Sequence, residues 1–203
     1  MVKPFFVLLF TDYTAHTTFE KDIMESFPYK KLNVVGTTSS GKSTLAERLA
    51  NKLGLDLIEL DALHWEPNWI EAPRDVFRVR VDMATQAQAW VVAGNYRVVR
   101  DLIWKRAEAI IWLDYSFPTI FWRLTTRTIR RAVTREELWN GNREKFWWHL
   151  KLWSDESLFK WLFKTYWRRK REYPQLFALP EHSHLQIIHF KNVEDTQNWL
   201  EKL

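Results

Sequence analysis

The stretch that decides the fold is KLNVVGTTSSGKSTLAERLANKLG, residues 31–54. KLNVV (31–35) reads as a short buried strand. A helix is expected from about Ser43 to Leu53, with Gly54 at its C′ position, where a left-handed backbone ends a helix at little cost. Between them GTTSSGKS (36–43) matches G-x-x-x-x-G-K-[ST] at Gly36, Gly41, Lys42 and Ser43. The two glycines let the backbone curl so that successive N–H groups converge on one anion. The helix after the loop adds its positive dipole end. Thr37, Thr38, Ser39 and Ser40 inside the loop, with Thr44 just beyond it, complete a cradle for a polyphosphate. Lys42 reaches the outer phosphates as a point charge, and the Ser43 hydroxyl is placed to ligate Mg²⁺. Strand, loop and helix in this order make ATP with Mg²⁺ the expected ligand.

The same strand-then-helix unit repeats along the chain, the pattern of a parallel sheet with crossover helices. LDLIEL (55–60), AWVVAG (89–94), AIIWLD (109–114) and LQIIHF (185–190) are the further strands. Pro73 suits the first turn of a helix running to about Ala89. Ser116 as N-cap and Pro118 in the first turn open a helix over 116–133. VEDTQNWLEKL (193–203) is a closing amphipathic helix. The expected fold class is therefore α/β, a P-loop NTPase three-layer sandwich with a five-stranded parallel sheet.

Two segments depart from the repeat. Between about Ala132 and Gln175 a polar stretch with the turn signal Asn140-Gly141 leads into a basic, aromatic helical run ending near Pro174. It reads as a helical basic lid insertion within the domain of residues 31–203. Residues 1–30 show no strand-helix unit; 1–23 are expected to be a poorly ordered extension or an upstream translated segment, with Met24 opening a compact lead into the first strand.

Composition limits the function classes. With 203 residues, 46% of them apolar, the chain is long enough for one domain with a real core. The absence of Cys excludes disulfides and thiolate metal sites and fits a reducing compartment such as the cytoplasm. No apolar run approaches the roughly 18 residues that a membrane span needs, and PFFVLLF (4–10) lacks the cleavage site of a signal peptide. Residues 123–171 hold fourteen Lys and Arg against five Asp and Glu, so the rest of the chain is net acidic although the whole carries +5. That segment is where a polyanion is expected. The thirteen Trp residues fit helix packing at the spacing of FWWHLKLW and LFKWLFKTYW, with a few available to stack on a base or sugar ring.

GTTSSGKSTLAERLA, LDALHWEPNW, WVVAGNYR and IIWLDYSFPTIFWRLTTRTIRR together resemble the adenylate-kinase-like P-loop phosphotransferases. Within them the chain looks most like the adenylate-kinase-related or DNA topology modulation proteins. The resemblance covers about Leu32 to Arg131, and LDALHW with GNYR is its more specific part. It implies that the end of the second strand forms the acceptor side. Asp61 there is suited to hold an acceptor hydroxyl or a Mg²⁺-bound water, or simply to cap a helix. His64 stands where nucleoside monophosphate kinases place an arginine that clamps the acceptor phosphate. An imidazole offers no such bidentate clamp, which argues against AMP. Trp65, Asn95 and Arg97 complete the acceptor-binding set.

The resemblance also marks an absence. The third strand ends in Ala93 where these kinases carry an acid near Mg²⁺, so either Asp61 or Asp114 takes its place or metal binding is weakened. Arg123 and Arg127 share one helix face; the first is expected against adenine and the second on the transferred phosphoryl. Arg130, Arg131 and Arg135 continue a basic face, Arg168 or Arg171 is a candidate second arginine of the lid, and Lys191 and Asn192 are placed to cradle adenine with backbone atoms. A lid suits the chemistry because phosphoryl transfer must exclude water.

The reading is an ATP-dependent kinase with catalytic Lys42, Arg127 and Asp61, acting on a small-molecule phosphate acceptor. The alternative is an ATP-binding, DNA-associated regulatory protein, for which the basic segment with its interleaved Trp residues speaks. No recognition helix or RNA-binding motif is visible.

Overall fold

The computed structural model describes residues 27–134, 137–142 and 158–203. Its frame is a five-stranded sheet of β1 (Lys31–Gly36), β2 (Asp56–Glu59), β5 (Trp90–Ala93), β6 (Ala109–Leu113) and β7 (Gln186–Phe190). The strand order is β2-β5-β1-β6-β7 and every pairing is parallel. The order reverses direction at β1, and ligands of open α/β sheets lie at such switch points, beyond the carboxyl ends of the strands. A separate two-residue hairpin joins β3 (Trp65–Glu66) to β4 (Ile70–Glu71). Order, direction and the phosphate loop after β1 give the P-loop kinase fold.

Parallel strands covered on both faces read as continuous apolar runs, and β1, β5 and β6 are buried throughout except for partly covered Lys31. Alternate residues serve two cores. On one face Leu32, Val34, Ile111 and Leu113 pack against α1 (Lys42–Leu53), α5 (Phe117–Thr134) and α7 (Val193–Lys202) through Leu45, Leu49, Leu124 and Leu200. On the other, Val35, Val92 and Ile110 pack against α3 (Arg74–Ala84) and α4 (Arg100–Arg106) through Phe77, Val81, Ile103 and Trp104. One polar residue sits inside the second core. Asn33 Nδ2 donates to the carbonyls of Val92 (3.0 Å) and Gly94 (3.1 Å), and its Oδ1 accepts from Trp104 Nε1 at 3.0 Å. All of its buried polar atoms are thus engaged, as burial requires.

Element boundaries follow the sequence with two corrections. The helix expected from Pro73 to Ala89 stops at Ala84. Thr85 closes it, with N–H and hydroxyl both directed at Val81 O, and Arg106 locks the last turn through Asp82 and Thr85. The basic helix expected to end near Pro174 runs as α6 (Leu158–Phe177) straight through that proline. A proline inside a helix costs about 3 kcal/mol. Here Tyr173 and Phe177 stack on each other at 5.5 Å and lie against Trp112, so packing outweighs the lost hydrogen bond. Gly54 takes the left-handed C-terminal position (φ 64°), with its N–H on Ala50 O. The Ser116 hydroxyl faces Thr119 N–H (3.5 Å) at the start of α5.

Of the segment 132–175, α5 continues to Thr134 and a short turn covers Trp139–Gly141. Residues 135–136, including Arg135, and 143–157 lie outside the described residues, as do residues 1–26 of the expected extension. From Leu162 onward α6 belongs to the sandwich, since Leu162, Tyr166 and Tyr173 are buried in its cores. Phe27 packs edge-on to Trp199 at 5.8 Å, and Lys30 O accepts from Trp90 N–H, so 27–30 are tied to the body. No described helix is long and apolar enough to cross a membrane.

Candidate functional site

The loop between β1 and α1 is shaped by what its glycines allow. A Cβ on Gly36 would lie 2.7 Å from Leu113 O and from Ser40 Oγ, closer than any side chain tolerates. Gly41 has φ 96°, and Arg123 lies against it. The loop closes on itself through Ser40 N–H to Thr37 O (3.2 Å), and Leu45 N–H on Gly41 O (2.9 Å) begins α1. The Ser39 and Ser40 hydroxyls are buried with no hydrogen-bond partner in the protein. Such orphaned donors are uncommon, and they suit an anion whose oxygens accept from them. Thr38 and Thr44 lie at the loop's more open side.

Lys42 Nζ donates to Thr37 O at 2.9 Å, inside the loop. Its pKa is lowered to about 7, first by burial and then by Arg169 and Arg127, while Asp61 and Glu59 pull it the other way. Three cations therefore converge on one position. Arg127, expected on the transferred phosphoryl, lies within electrostatic reach of Lys42. The cation that α6 supplies is Arg169, in place of the expected Arg168 or Arg171. Arg168 pairs with Glu172 at 3.8 Å, and Arg171 faces solvent. The helical turn explains the difference: Arg169 shares the inward face with Leu162, Tyr166 and Tyr173, at spacings of seven, three and four residues.

A carboxylate stands beside Ala93 on the neighbouring strand. Glu59 ends β2 directly beside Ala93 in the register of the β2–β5 pair, and its Oε2 accepts from Ser43 Oγ at 3.0 Å. Burial raises the Glu59 carboxyl above its ordinary value, and the Asp61 charge adds to this, against the Ser43 hydrogen bond and Lys42. Neither expected substitute takes this position. Asp114, on the far side of β1, is held by His189 (3.2 Å) and Lys170 (3.4 Å). Asp61 Oδ1 accepts from the Tyr96 hydroxyl at 2.6 Å. It lies in the short helix α2 (Leu60–His64), one residue past its start, so it is no N-cap. Ser43 and Glu59 offer two hard oxygen ligands beside the phosphate cradle. Among the described residues no group of three His, Asp or Glu gathers to hold a metal alone. Mg²⁺ held jointly by protein oxygens and nucleotide phosphates fits this donor set.

On the acceptor side, His64 is buried among Trp65 (4.9 Å), Phe77 (4.9 Å) and Tyr96 (4.6 Å). Burial lowers its pKa and keeps it neutral, with Glu71 the main opposing charge. Asn95 Nδ2 donates to Gly36 O (3.0 Å) and to the buried Tyr173 hydroxyl (2.8 Å), a strut from the phosphate loop to α6. Arg97 is ion-paired with Glu172 of the same helix. Toward the nucleotide side, Arg123 donates to Ser40 O (3.2 Å) and lies 5.7 Å above the Tyr115 ring. An open cleft of about 70 Å³ follows, lined by Thr44, Arg48, Arg123, Val193 and Gln197 among others. Asn192, one of the two residues expected to cradle adenine with backbone atoms, caps α7 by accepting from Asp195 N–H.

The sequence reading missed Glu59, Arg169, Tyr96 and Tyr173. Glu59 had a signal in the run LIELDALH, two residues before Asp61. Arg169 and Tyr173 depend on which face of α6 turns inward, and Tyr96 on the course of the loop after β5.

No family model matches the chain. A shikimate kinase from Synechococcus elongatus is 26% identical over 137 residues, covering 57% of this chain and 72% of that protein. Among solved structures, shikimate kinase from Acinetobacter baumannii in complex with shikimate superposes with TM-score 0.48 at 17% identity, over 88% of this chain and 93% of that one. A gluconokinase from Sinorhizobium meliloti does so with TM-score 0.47 at 18% identity, over 85% and 88%. These relatives are P-loop kinases, and none is a DNA topology modulation protein.

Proposed function

We propose that the chain is an ATP-dependent phosphotransferase that moves the γ-phosphoryl group of Mg²⁺·ATP to a hydroxyl of a small acceptor. One observation supports this most: Lys42, Ser43, Glu59 and Asp61 are drawn into a single electrostatic cluster at the switch point of the sheet. Residues Gly36 to Thr44 cradle the phosphates, and Arg123 covers the adenine side. Bound at Ser43 and Glu59, Mg²⁺ would neutralise phosphate charge. Asp61 accepts the proton of the attacking hydroxyl, whose oxygen bonds to the γ phosphorus as the bond to the β-phosphate oxygen breaks and ADP leaves. Lys42, Arg127 and Arg169 stabilise the negative charge on the transferring oxygens. Positioning and charge do most of this work.

His64, Trp65, Asn95 and Arg97 form the acceptor side of this reading. A kinase among the sequence relatives supports the reaction class, and the cysteine-free composition suits a cytoplasmic setting. The narrower likeness to adenylate-kinase-related or DNA topology modulation proteins still rests on LDALHW and GNYR. The test is acceptor-dependent ADP release with Lys42→Ala as the blank. Turnover in that variant equal to the parent's would sink the assignment. The basic α5 and α6 support a second reading, a DNA-associated ATP switch. It requires duplex binding that falls steeply with salt and no acceptor-dependent turnover.

A further inference from the structure

Arg169 comes within electrostatic reach of Lys42 without a hydrogen bond or ion pair of its own among the described residues. A long side chain of this kind is placed by its helix, so its position depends on what fixes α6. Among the described residues four polar ties do so between Tyr166 and Tyr173, about two helical turns that include Arg169. The Tyr166 hydroxyl donates to Tyr115 O at 3.1 Å. Lys170 pairs with Asp114 at 3.4 Å, and Glu172 with Arg97. The fourth is the Asn95 amide, which donates to the Tyr173 hydroxyl at 2.8 Å and to Gly36 O at 3.0 Å.

The four are not equal. The Lys170 and Arg97 side chains are 43% and 61% exposed, and ion pairs made by such chains hold a position weakly. Tyr166 ties α6 to the end of β6. Of the four, Asn95 alone reaches the phosphate loop, whose first residue is Gly36. Both hydrogens of one short amide are spent, one on the loop and one on the helix, so the two are held at a fixed separation. At the helix end the anchor is rigid. Tyr173 is buried, stacked on Phe177 at 5.5 Å with 4° between the planes, and lies against Trp104 and Trp112. It follows Arg169 by four residues, one turn along the same face. Burial raises the Tyr173 hydroxyl above its ordinary value, and Arg169 is the first charge that opposes this.

We propose that Asn95 and Tyr173 are positioning residues for phosphoryl transfer: together they set Arg169 against the phosphate loop, and they act on the reaction through it. This rests on the phosphotransferase reading above. Asn95 borders the acceptor side, but its amide nitrogen serves the phosphate side. A cation that stabilises charge on transferring oxygens works only at the right separation, and an error of about 1 Å costs on the order of 10²-fold in rate.

The test is a double-variant cycle on the full chain with two readouts. The first needs no acceptor: proton uptake when ATP binds at pH 8 without Mg²⁺, by calorimetry in buffers of different ionisation enthalpy. Lys42 takes that proton, and it is faced by Arg169 from α6, Arg127 from α5, Asp61 from α2 and Glu59 from β2. Displacing Arg169 relieves Lys42, so Asn95→Ala and Tyr173→Phe should each lower the uptake by about half. Tyr173→Phe keeps the ring in its stack and with it the fold. On an Arg169→Met background neither change should lower the uptake further, because the residue they act through is gone. Arg106→Gln, which unties α3 from α4 at Asp82 and Thr85, controls for general loosening and should leave the uptake as it is. The second readout is acceptor-dependent turnover. Asn95→Ala should lower kcat by about 10²-fold with the ATP KM within a factor of about two, again with no further loss on Arg169→Met. Unchanged uptake in both single variants, additive losses on the Arg169→Met background, or an equal fall in Arg106→Gln overturns the proposal. If the parent turns over no acceptor, the phosphotransferase reading fails, and the uptake cycle alone decides whether the strut places Arg169. If the parent takes up no proton, the kcat cycle decides; absence of both readouts in the parent overturns the proposal.

Discussion

At pH 8 the binding of ATP should draw nearly one proton from solution, and Lys42 is the group that takes it. Its pKa stands at about 7 against an ordinary 10.5, because burial and the charges of Arg169 and Arg127 disfavour the ammonium. At 1.36 kcal/mol per unit the shift corresponds to ~5 kcal/mol. Lys42 keeps some solvent access, and screening brings the figure down to about 2–3 kcal/mol. A polyphosphate in the loop supplies the missing counter-charge and returns the lysine toward its ordinary value. With a pKa near 7, roughly nine-tenths of the free protein is deprotonated at Lys42 at pH 8, and about one-tenth at pH 6. The phosphates of ATP are already ionised at pH 8, their last pKa being ~6. Affinity should therefore weaken by up to about ten-fold per pH unit above 7. The assay is calorimetry of ATP binding in buffers of different ionisation enthalpy, for the parent chain and for Lys42→Met. Equal proton uptake by the two, or none by the parent, would refute the reasoning.

The same shift has a consequence for the unliganded fold. The unfolded chain binds more protons than the folded one between pH ~7 and ~10.5, so this lysine's contribution to stability rises with pH across that window and its cost is greatest below it. Lys42→Met should accordingly raise the Tm at pH 6.5 and have little effect above pH 10.5, which a pair of thermal scans will show. Glu59→Gln should weaken Mg²⁺ dependence on the order of 100-fold, read from a Mg²⁺ titration of turnover; an unchanged titration would return the metal-side carboxylate to Asp61. Arg169→Met should lower kcat by about 10³, while Arg171→Met, facing solvent, stays within a factor of about two. Asn33→Ala strands the Trp104 indole N–H and a carbonyl in the second core. It should cost about 2–3 kcal/mol, seen by calorimetry as a Tm loss of roughly 5–10 °C.

How much of this was legible in sequence depends on how local each cause is. The phosphate loop, the five strands and the helix after Ser116 are written in short spacings: two glycines, a lysine, apolar runs and a capping serine act on their own neighbourhood. The ends of α3 and α6 were not, because Arg106 from another helix closes one and burial of Tyr173 and Phe177 carries the other through a proline.

For the site the division is sharper. The sequence alone determined that Gly36 to Thr44 carry the spacing of a phosphate-binding loop and that the strand end at Ala93 has no carboxylate. Only the tertiary structure decided which carboxylate stands there, because strand register sets Glu59 beside Ala93 and no spacing along the chain encodes which strands are neighbours. It likewise brought Arg169 rather than its neighbours toward Lys42, since the packing of Leu162, Tyr166 and Tyr173 fixes which face of α6 turns inward. Chemistry that lies within one loop is read from one loop; chemistry assembled across the sheet waits for the sheet to form.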